Sequence, residues 1–162
     1  MASWSATCGT TATRRLHTMS ITQNNEGGSL ETDIDRSATF PSLRTVAMPA
    51  DTNPNGDIFG GWILSQMDLA GGTFAFHIAK GRVATVAVTG MQFHKPVSVG
   101  DEVSCYCRTE RIGNTSITVR VEAWARRRSG GAEEQVTEGV FTFVAIDYRG
   151  DPRRIVQEGA EG

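Results

Sequence analysis

The stretch from Ile58 to Ala79 limits most strongly what this chain can fold into. Its large side chains recur at helical spacing, so the pattern predicts one long helix with a buried face. The predicted buried ridge consists of Ile63, Met67, Ala70, Phe74 and Ile78. Lys80 and Gly81 follow as a helix stop. A single helix with such an apolar face needs a sheet to cover it, and the remaining sequence must supply that sheet.

Five strand patterns surround the predicted helix, one before it and four after it. They cover residues 42–48, 82–95, 102–110, 115–127 and 136–147, and Gly90 marks an expected bulge. Short turns with Gly-Asp, Gly-Asn and Gly-Gly pairs separate the last four patterns, which favours hairpins and an antiparallel sheet. The last pattern is apolar on both faces and is therefore expected in the middle of the sheet. The sequence predicts an α+β fold in which a curved antiparallel sheet wraps around one long central helix.

The chain divides by composition into three parts. Residues 1–40 are rich in Ser, Thr, Asn and Gly, and they are predicted to form a disordered or loosely ordered leader. Residues 1–18 contain no acid, as in organellar transit peptides, although a non-functional extension is the preferred interpretation. Residues 41–150 are predicted to form the folded domain, and residues 151–162 a flexible C-terminal tail. Since one sheet on one helix leaves its outer face and edge uncovered, we expect homo-oligomers.

Composition and charge argue against several classes of function. The formal net charge of -2 gives no basic field that would attract nucleic acid. The longest run without a charged side chain, residues 69–79, is too short to span a bilayer, so no membrane contact is expected. An odd number of cysteines, with Cys105 and Cys107 two apart, favours reduced thiols and the cytoplasm. The histidines lack metal-ligand spacing with the cysteines, and we expect neither a metal nor a cofactor.

Asp68 is the only charged residue between Asp57 and Lys80. In one interpretation it lies on the outer face of the helix, or it is satisfied by a distant hydroxyl or backbone amide. In the other it is an acid or base held in a partly apolar cleft. Gly71 and Gly72 follow at i+3 and i+4, and their lack of a side chain lets the helix approach another backbone or a ligand closely.

Gly60 and Gly61 lie in the first turn of the predicted helix. Backbone N–H groups in a first turn lack internal acceptors, and the helix dipole is positive there. Two glycines leave these N–H groups accessible to an oxygen atom of a ligand. The spacing from Gly56 to Gly61 matches neither a phosphate-binding loop nor a dinucleotide fingerprint, so this feature alone does not identify a ligand.

The chain carries five collinear motifs: AMPADTNPNGDIFGGWILSQMDLAGG, GRVATVAV, FHKPVSVGDEV, RIGNTSITVRVEAW and TEGVFTFVAID. Together they resemble the hotdog-fold acyl-CoA thioesterases, specifically the bacterial single-hotdog YciA type, over about residues 42–150. The resemblance implies the hotdog fold and dimers with a continuous sheet. It further implies that dimers assemble as trimers of dimers, which are hexamers, and that the active sites lie at the dimer interface.

The same resemblance implies an acyl-CoA substrate, hydrolysed to free fatty acid and coenzyme A by residues from opposite subunits. The matching positions are Asn53 in the loop and Asp68 in the helix. Asp68 would act as a general base on water or attack the thioester directly, and Asn53 would orient the water or the thioester. The backbone amides of Gly60 and Gly61 would hold the developing oxyanion. The residues expected by resemblance to bind coenzyme A are Arg82, Gly113, Asn114, Thr115 and Ser116.

Two alternatives to this function remain at the level of sequence. A non-catalytic hotdog module would bind acyl-CoA as a sensor or carrier, and it would have no need of Asp68. A hotdog dehydratase would use a histidine together with an acid. His77 lies nine residues after Asp68 and on a different face of the helix, which argues against that pairing.

Overall fold

The computed structural model describes residue 36 and residues 39–156 of the chain. The predicted leader therefore lies almost entirely outside the described residues, as do residues 157–162 of the predicted tail. The described elements are β1 (Leu43–Val46), a 3-10 turn (Pro49–Asp51), α1 (Gly60–Ala79), β2 (Val83–Phe93), β3 (Glu102–Ile112), β4 (Ser116–Arg126) and β5 (Glu134–Ala145). The predicted single long helix and five strands are thus all present. Within the described residues, no helix is long and apolar enough to cross a membrane.

The five strands form one antiparallel sheet in the order β1-β3-β4-β5-β2. β5 lies between β4 and β2, which confirms the prediction that the strand with two apolar faces is in the interior of the sheet. β1 and β2 form its two edges. The sheet packs on α1 through an inner face that includes Val119 and Val121 of β4 and Phe141 and Phe143 of β5, all of them buried.

The prediction that hairpins join all of the last four strands is wrong for β2 and β3. β2 pairs with β5, whereas β3 pairs with β1 and β4. The turn before β3 binds to the end of β1: the N–H of Gly100 donates to the carbonyl of Ala47 at 2.8 Å, and the N–H of Ala47 donates to the carbonyl of Asp101 at 3.0 Å. This contact places β3 beside β1. Turn chemistry signals a change of direction, but the partner of a strand depends on distant residues.

α1 begins at Gly60, two residues after the predicted start, because Ile58 forms an isolated bridge with Thr52. Its end agrees with the prediction. Lys80 adopts the left-handed conformation with φ 51°, and the N–H of Gly81 donates to the carbonyl of Phe76 at 3.1 Å. Such a left-handed cap satisfies carbonyl groups that the last helical turn leaves unpaired.

The buried face of α1 departs from the predicted ridge in its second half. Ile63, Met67 and Ala70 are buried as predicted, but Phe74 and Ile78 are only half-buried. Gly71, Ala75 and Ala79 are buried in their place. A Cβ atom on Gly71 would lie 3.0 Å from the ring of Phe143 and 3.2 Å from Val121, so the helix backbone rests directly on the sheet there. The small residues that follow at i+4 and i+8 continue this close contact.

The bulge expected at Gly90 is present in β2. Gly90 has φ +60°, and the register of β2 against β5 shifts between Thr89 and Gln92. The shift turns Met91 toward β5, where its sulfur lies 2.7 Å from the position that a Cβ atom on Gly139 would occupy. The bulge thus directs one large side chain of the edge strand onto the core.

Residues 151–156 contact the sheet, so the folded part of the chain extends beyond the predicted boundary at residue 150. Pro152 forms a bridge with Ile146, and the N–H of Ile155 donates to the carbonyl of Asn114 at 2.8 Å. The guanidinium group of Arg153 donates to the carbonyl of Ala79 at 2.7 Å. The cation therefore caps the C-terminal end of α1, where the helix dipole is negative.

A buried carboxylate joins the turn before β3 to the turn between β4 and β5. Asp101 accepts a hydrogen bond from Arg127 at 2.6 Å, and its side chain is 4% exposed. The N–H of Ser98 also donates to Asp101 at 2.9 Å. Arg127 donates in addition to Glu134 at 3.1 Å. Hydrogen bonds from Lys95 and Arg127 hold the pKa of the Glu134 carboxyl below its usual value.

We predict that Arg127→Met lowers the free energy of unfolding by about 3 kcal/mol, because it leaves the Asp101 carboxylate buried without its cation. The matched control is Arg126→Met on the neighbouring residue, whose side chain is 52% exposed. Arg126 makes ion pairs with Glu102 and Glu133, and their loss is expected to cost less than about 1 kcal/mol. Urea denaturation of both variants measures the difference. Equal losses of unfolding free energy in the two variants would show that the Asp101–Arg127 ion pair stabilises the fold no more than the ion pairs of Arg126.

Candidate active site

Asp68 lies midway along α1 and faces the edge strand β2. Its side chain is half-buried, and its Oδ1 accepts a hydrogen bond from the hydroxyl of Thr85 at 2.6 Å. A distant hydroxyl is one of the partners that the sequence interpretation allows for this acid. Such a short bond between a hydroxyl and a carboxylate is of the charge-assisted kind. Thr85 therefore fixes the orientation of the carboxylate.

Sequence reasoning missed Thr85. The residue is 17 positions from Asp68, and the two meet only because β2 lies along the helix. Thr85 is one of several small or β-branched residues in β2, and these residue types are common in strands. No local signal distinguishes it, so the pairing requires knowledge of the tertiary fold.

Two cavities lie next to the Asp68–Thr85 pair, and each is lined by both residues. The larger cavity, of about 610 Å³, extends toward the C-terminal end of α1 and includes Gly72, His77 and Arg82 in its lining. The smaller cavity, of about 300 Å³, extends toward the N-terminal end. Its other lining residues are Gly61, Leu64, Ser65, Val88 and Phe141. The Asp68 carboxylate thus lies between two cavities, of which the larger has the more polar lining.

The helix glycines have two separate structural roles. Gly71 packs against the sheet, as described above, whereas a Cβ atom on Gly72 would meet only Phe143, at an ordinary 3.6 Å. A Cβ atom on Gly61 would have no heavy atom within 4 Å. Gly61, Asp68 and Gly72 are seven and four residues apart and therefore share one face of the helix. This face is the one that borders the cavities.

The first turn of α1 exposes backbone donors. The N–H of Trp62 donates to the carbonyl of Phe59 at 3.0 Å, and no side chain caps the helix. The N–H groups of Gly60 and Gly61 make no hydrogen bond to any described residue. Donors of this kind at the positive end of a helix suit an anionic oxygen atom. They are separated from Asp68 of the same chain by about 10 to 12 Å along the helix axis, at 1.5 Å per residue.

The loop before α1 is organised by the side chain of Asn53. Its Oδ1 accepts hydrogen bonds from the N–H of Asn55 at 2.9 Å and from the N–H of Asp57 at 3.1 Å. Since backbone N–H groups only donate, the atom that they contact must be the amide oxygen. The Nδ2 group has no hydrogen-bond partner among the described residues. Asn53 thus presents a donor, and Asn55 and Asp57 hold it in place.

A single chain does not bring all of the predicted catalytic residues together. Asn53 lines neither of the cavities beside Asp68. Gly61 shares the smaller cavity with Asp68, whereas Gly60 does not line it. Apart from Gly61, the predicted residues therefore form two groups, with Asn53 and Gly60 at the start of α1 and Asp68 beside Thr85 in its middle.

The residues expected to bind coenzyme A lie at one end of the sheet. Arg82 lines the larger cavity, and its Nη1 donates to the carbonyls of Asp147 and Tyr148 at 3.1 and 3.3 Å. The turn from residue 113 to residue 116 is adjacent, because the N–H of Ala145 donates to the carbonyl of Thr115 and the next N–H, of Ile146, donates to the carbonyl of Arg82. None of the four turn residues, Gly113, Asn114, Thr115 and Ser116, lines either cavity beside Asp68.

The two cysteines of β3 are not suited to be nucleophiles. Cys105 and Cys107 are both free and buried. Burial raises the pKa of Cys105 to about 12, and the neighbouring Cys107 contributes to this rise. Burial likewise raises the pKa of Cys107 to about 11, against a lowering contribution from Ser42. Since the reactive form of cysteine is the thiolate, these side chains serve packing at neutral pH.

One long helix packed against a five-stranded antiparallel sheet is the α+β arrangement expected for the hotdog fold. Residues 55–132 match the family model described as "Thioesterase superfamily". The chain is 50% identical over 119 residues to the acyl-CoA thioester hydrolase YciA of Escherichia coli, which covers 72% of this chain and 90% of that protein.

Two solved structures are also similar to the chain. One is HI0827, described as a hexameric broad-specificity acyl-coenzyme A thioesterase, in a form with an aspartate replaced by alanine. It has 51% identity and a TM-score of 0.71, covering 75% of this chain and 89% of that chain. The other is the hexameric thioesterase y2039 from Yersinia pestis, with 55% identity and a TM-score of 0.70, covering 72% of this chain and 95% of that chain. The chain therefore belongs to the hotdog-fold acyl-CoA thioester hydrolases of the thioesterase superfamily.

Proposed function

We propose that this protein is an acyl-CoA thioesterase, which hydrolyses the thioester of acyl-CoA to a free fatty acid and coenzyme A. The observation that carries the proposal is the Asp68 carboxylate, held by the Thr85 hydroxyl and bordered by two cavities. The similarity to the thioester hydrolase YciA and to the acyl-coenzyme A thioesterase HI0827 supports the same substrate class. The cytoplasm, where acyl-CoA esters are found, is the expected location.

The proposed active site is shared between two subunits. A carbonyl group must lie about 3 Å from both the attacking group and the oxyanion donors, so groups 10 to 12 Å apart on one helix do not act on the same atom. Asn53 and the amides of Gly60 and Gly61 from one subunit would instead meet Asp68 and Thr85 of a second subunit. Each dimer would then contain two such sites.

The free edge of β2 is the surface that would form this dimer. β2 is an edge strand, and Val86, Val88 and Phe93 on it are 58%, 40% and 57% exposed. Unpaired strand edges with large apolar side chains are normally covered by another strand. Pairing of two β2 strands would continue the sheet across the dimer. The relatives HI0827 and y2039 are hexameric, which supports assembly of three such dimers here.

The chemistry assigns one role to each group. Asp68 removes a proton from water or attacks the thioester carbonyl itself. The amides at the start of α1 bind the oxyanion that develops on the carbonyl oxygen. The Nδ2 group of Asn53 donates a hydrogen bond to the thioester or to the water. The leaving thiol has a pKa near 8.5, so it departs without a strong general acid.

The Asp68 role is tested by Asp68→Asn, which keeps an oxygen atom for the Thr85 hydroxyl but removes the base. We expect kcat/KM to fall by at least about 100-fold, the usual effect of losing a general base. Thiol release from a series of acyl-CoA esters of two to sixteen carbons measures the rate. Asp57→Asn is the control, because the Asp57 side chain lies outside both cavities. Turnover within a few-fold of wild type in folded Asp68→Asn would refute the assignment, and binding without turnover in the wild type would favour the non-catalytic module.

Thr85 is proposed as a positioning residue for Asp68. Thr85→Val preserves the shape of the side chain and removes the hydroxyl, and we expect kcat to fall about tenfold, as for loss of a hydrogen bond to a charged group. KM should change little, because the hydroxyl contacts the carboxylate. Thr85→Ser keeps the hydroxyl and should restore most of the rate. A slow Thr85→Ser enzyme beside a Thr85→Val enzyme with the wild-type kcat would show that the methyl group and not the hydrogen bond is what matters.

The donor role of Asn53 is tested by Asn53→Asp, which keeps an acceptor for the two loop N–H groups but removes Nδ2. We expect a loss of kcat of about 100-fold, similar to that for one oxyanion-hole donor, with an unchanged unfolding midpoint. Asn53→Ala removes the loop contacts as well and should also lower stability. An active Asn53→Asp enzyme would contradict the role.

Sharing of the site between subunits is tested by co-expressing Asn53→Asp and Asp68→Asn chains with different affinity tags. A mixed dimer contains one site with both native residues if the residues come from opposite subunits. It contains no such site if both come from one chain. Assemblies purified on both tags should therefore recover activity, up to about half of the wild-type rate if every dimer is mixed, whereas an absence of recovery would place both residues within one subunit.

A further inference from the structure

The two oxygen atoms of the Asp68 carboxylate differ in their contacts. Oδ1 accepts the hydrogen bond from the Thr85 hydroxyl at 2.6 Å, whereas Oδ2 has no hydrogen-bond partner in the described part of the chain. A general base takes a proton from water through such an available oxygen atom. A water molecule has two protons, however, and it is held in one orientation only if the second proton also finds an acceptor.

The smaller cavity beside Asp68 offers one further side-chain oxygen atom, that of Ser65. Apart from Ser65, Asp68 and Thr85, its lining residues have no polar side-chain atom; they are Gly61, Leu64, Val88 and Phe141. A water molecule next to Asp68 in this cavity therefore meets few hydrogen-bonding side chains, and these few determine its position. The larger cavity has further polar side chains in its lining, so a water molecule there has several alternative partners.

The hydrogen bonds that Ser65 already makes leave its oxygen atom as an acceptor. The hydroxyl donates to the carbonyl of Trp62, three residues earlier, at 2.7 Å. Since a hydroxyl has one proton and two acceptor positions, this bond uses its only proton. Nε2 of Gln66 donates to the same oxygen atom at 3.2 Å and occupies one of the acceptor positions. The remaining position suits a proton of water.

Ser65 and Asp68 are neighbours on the surface of α1. Side chains three residues apart on a helix have Cβ atoms about 5 to 6 Å apart. One water molecule with two hydrogen bonds of about 2.8 Å spans such a pair. A serine that donates to an earlier carbonyl of its helix is common and needs no function by itself. Here, however, the serine lines one cavity together with Asp68 and with the threonine that orients it.

We infer that Ser65 accepts a hydrogen bond from the second proton of the attacking water and thereby orients this water between itself and Oδ2 of Asp68. The inference rests on the proposed function, and it assigns to Asp68 the role of general base. Ser65 is then a positioning residue for the water, as Thr85 is for the carboxylate.

The proposed reaction is balanced without proton exchange at Ser65. The water oxygen forms a bond to the thioester carbonyl carbon while one of its protons passes to Oδ2 of Asp68. The C–S bond then breaks, its electron pair goes to sulfur, and sulfur takes the proton from Asp68. The second proton of the water stays on the carboxylic acid product. Ser65 therefore contributes only an acceptor that holds the water in place.

The variant Ser65→Ala removes this acceptor from an exposed position of the helix. Because alanine has the highest helix propensity, the unfolding midpoint should equal or exceed that of wild type. We expect kcat for hydrolysis to fall about tenfold, as for loss of one hydrogen bond, with KM unchanged because the hydroxyl contacts the water. Ser65→Thr keeps a hydroxyl that can donate to the same carbonyl, and it should retain most of the rate.

Methanol as a second nucleophile separates the orientation of water from a general structural role of Ser65. Methanol has one hydroxyl proton, which passes to Asp68, so its attack needs no second acceptor. With methanol at a concentration that leaves the unfolding midpoint unchanged, turnover gives methyl ester beside free acid. For Ser65→Ala we expect the ratio of methyl ester to free acid to rise about tenfold over that of wild type, since hydrolysis alone loses a hydrogen bond. Chromatography of the products measures the ratio.

Three results would overturn the inference. One is a Ser65→Ala enzyme that hydrolyses acyl-CoA at the wild-type kcat. Another is an equal loss of hydrolysis and methanolysis, which would assign Ser65 a structural role. The third is a burst of thiol release before the steady state in Ser65→Ala, which would show that Asp68 attacks the thioester itself. If the wild type releases no thiol from acyl-CoA, the proposed function fails together with the inference, whereas the three results concern an active wild type and overturn the inference alone.

Discussion

The close contact of α1 with the sheet at Gly71 is the constraint on which the rest of the structure depends. A Cβ atom there would lie 3.0 Å from Phe143 and 3.2 Å from Val121, so any larger residue would require these two side chains to move. The contact fixes the rotation of the helix about its axis. Asp68, three residues earlier, is consequently turned toward β2, where it meets Thr85. One packing contact thus determines where the acid of the site points.

The Asp68 carboxylate is oriented by a neutral hydroxyl and not by a cation. The described ion pairs lie elsewhere, for example between Arg127 and Asp101 or between Arg120 and Glu110, and none includes Asp68. A salt bridge would stabilise the carboxylate and reduce its reactivity as a base or nucleophile. A neutral hydroxyl orients the group and leaves its charge available. Asp68 is half-buried, and the cavity next to it leaves room for a substrate because its neighbour on this face of the helix, Gly72, has no side chain.

The sequence predicts those parts of the fold that depend on local patterns. The helix end at Lys80, the bulge at Gly90 and the interior position of β5 follow from residue types within a few positions of each feature. The pairing of β3 with β1 and the contact between Asp68 and Thr85 do not, because each joins residues far apart in the chain. The motifs locate Asn53 and Asp68 by resemblance, but only the loop geometry identifies the asparagine side chain as a donor.

The division of the site along α1 explains why its two ends have different chemistry. The N-terminal end supplies donors, namely the amides of Gly60 and Gly61 and the Nδ2 group of Asn53, whereas the middle supplies an acceptor. On one helix these groups are too far apart to act on a single carbonyl. A twofold axis at the free edge of β2 would place the donors of one helix against the acid of the other. Under the proposed shared site, the exposure of Val86 and Val88 on that edge and the separation of the donors from Asp68 in one chain would have the same cause, namely a second subunit.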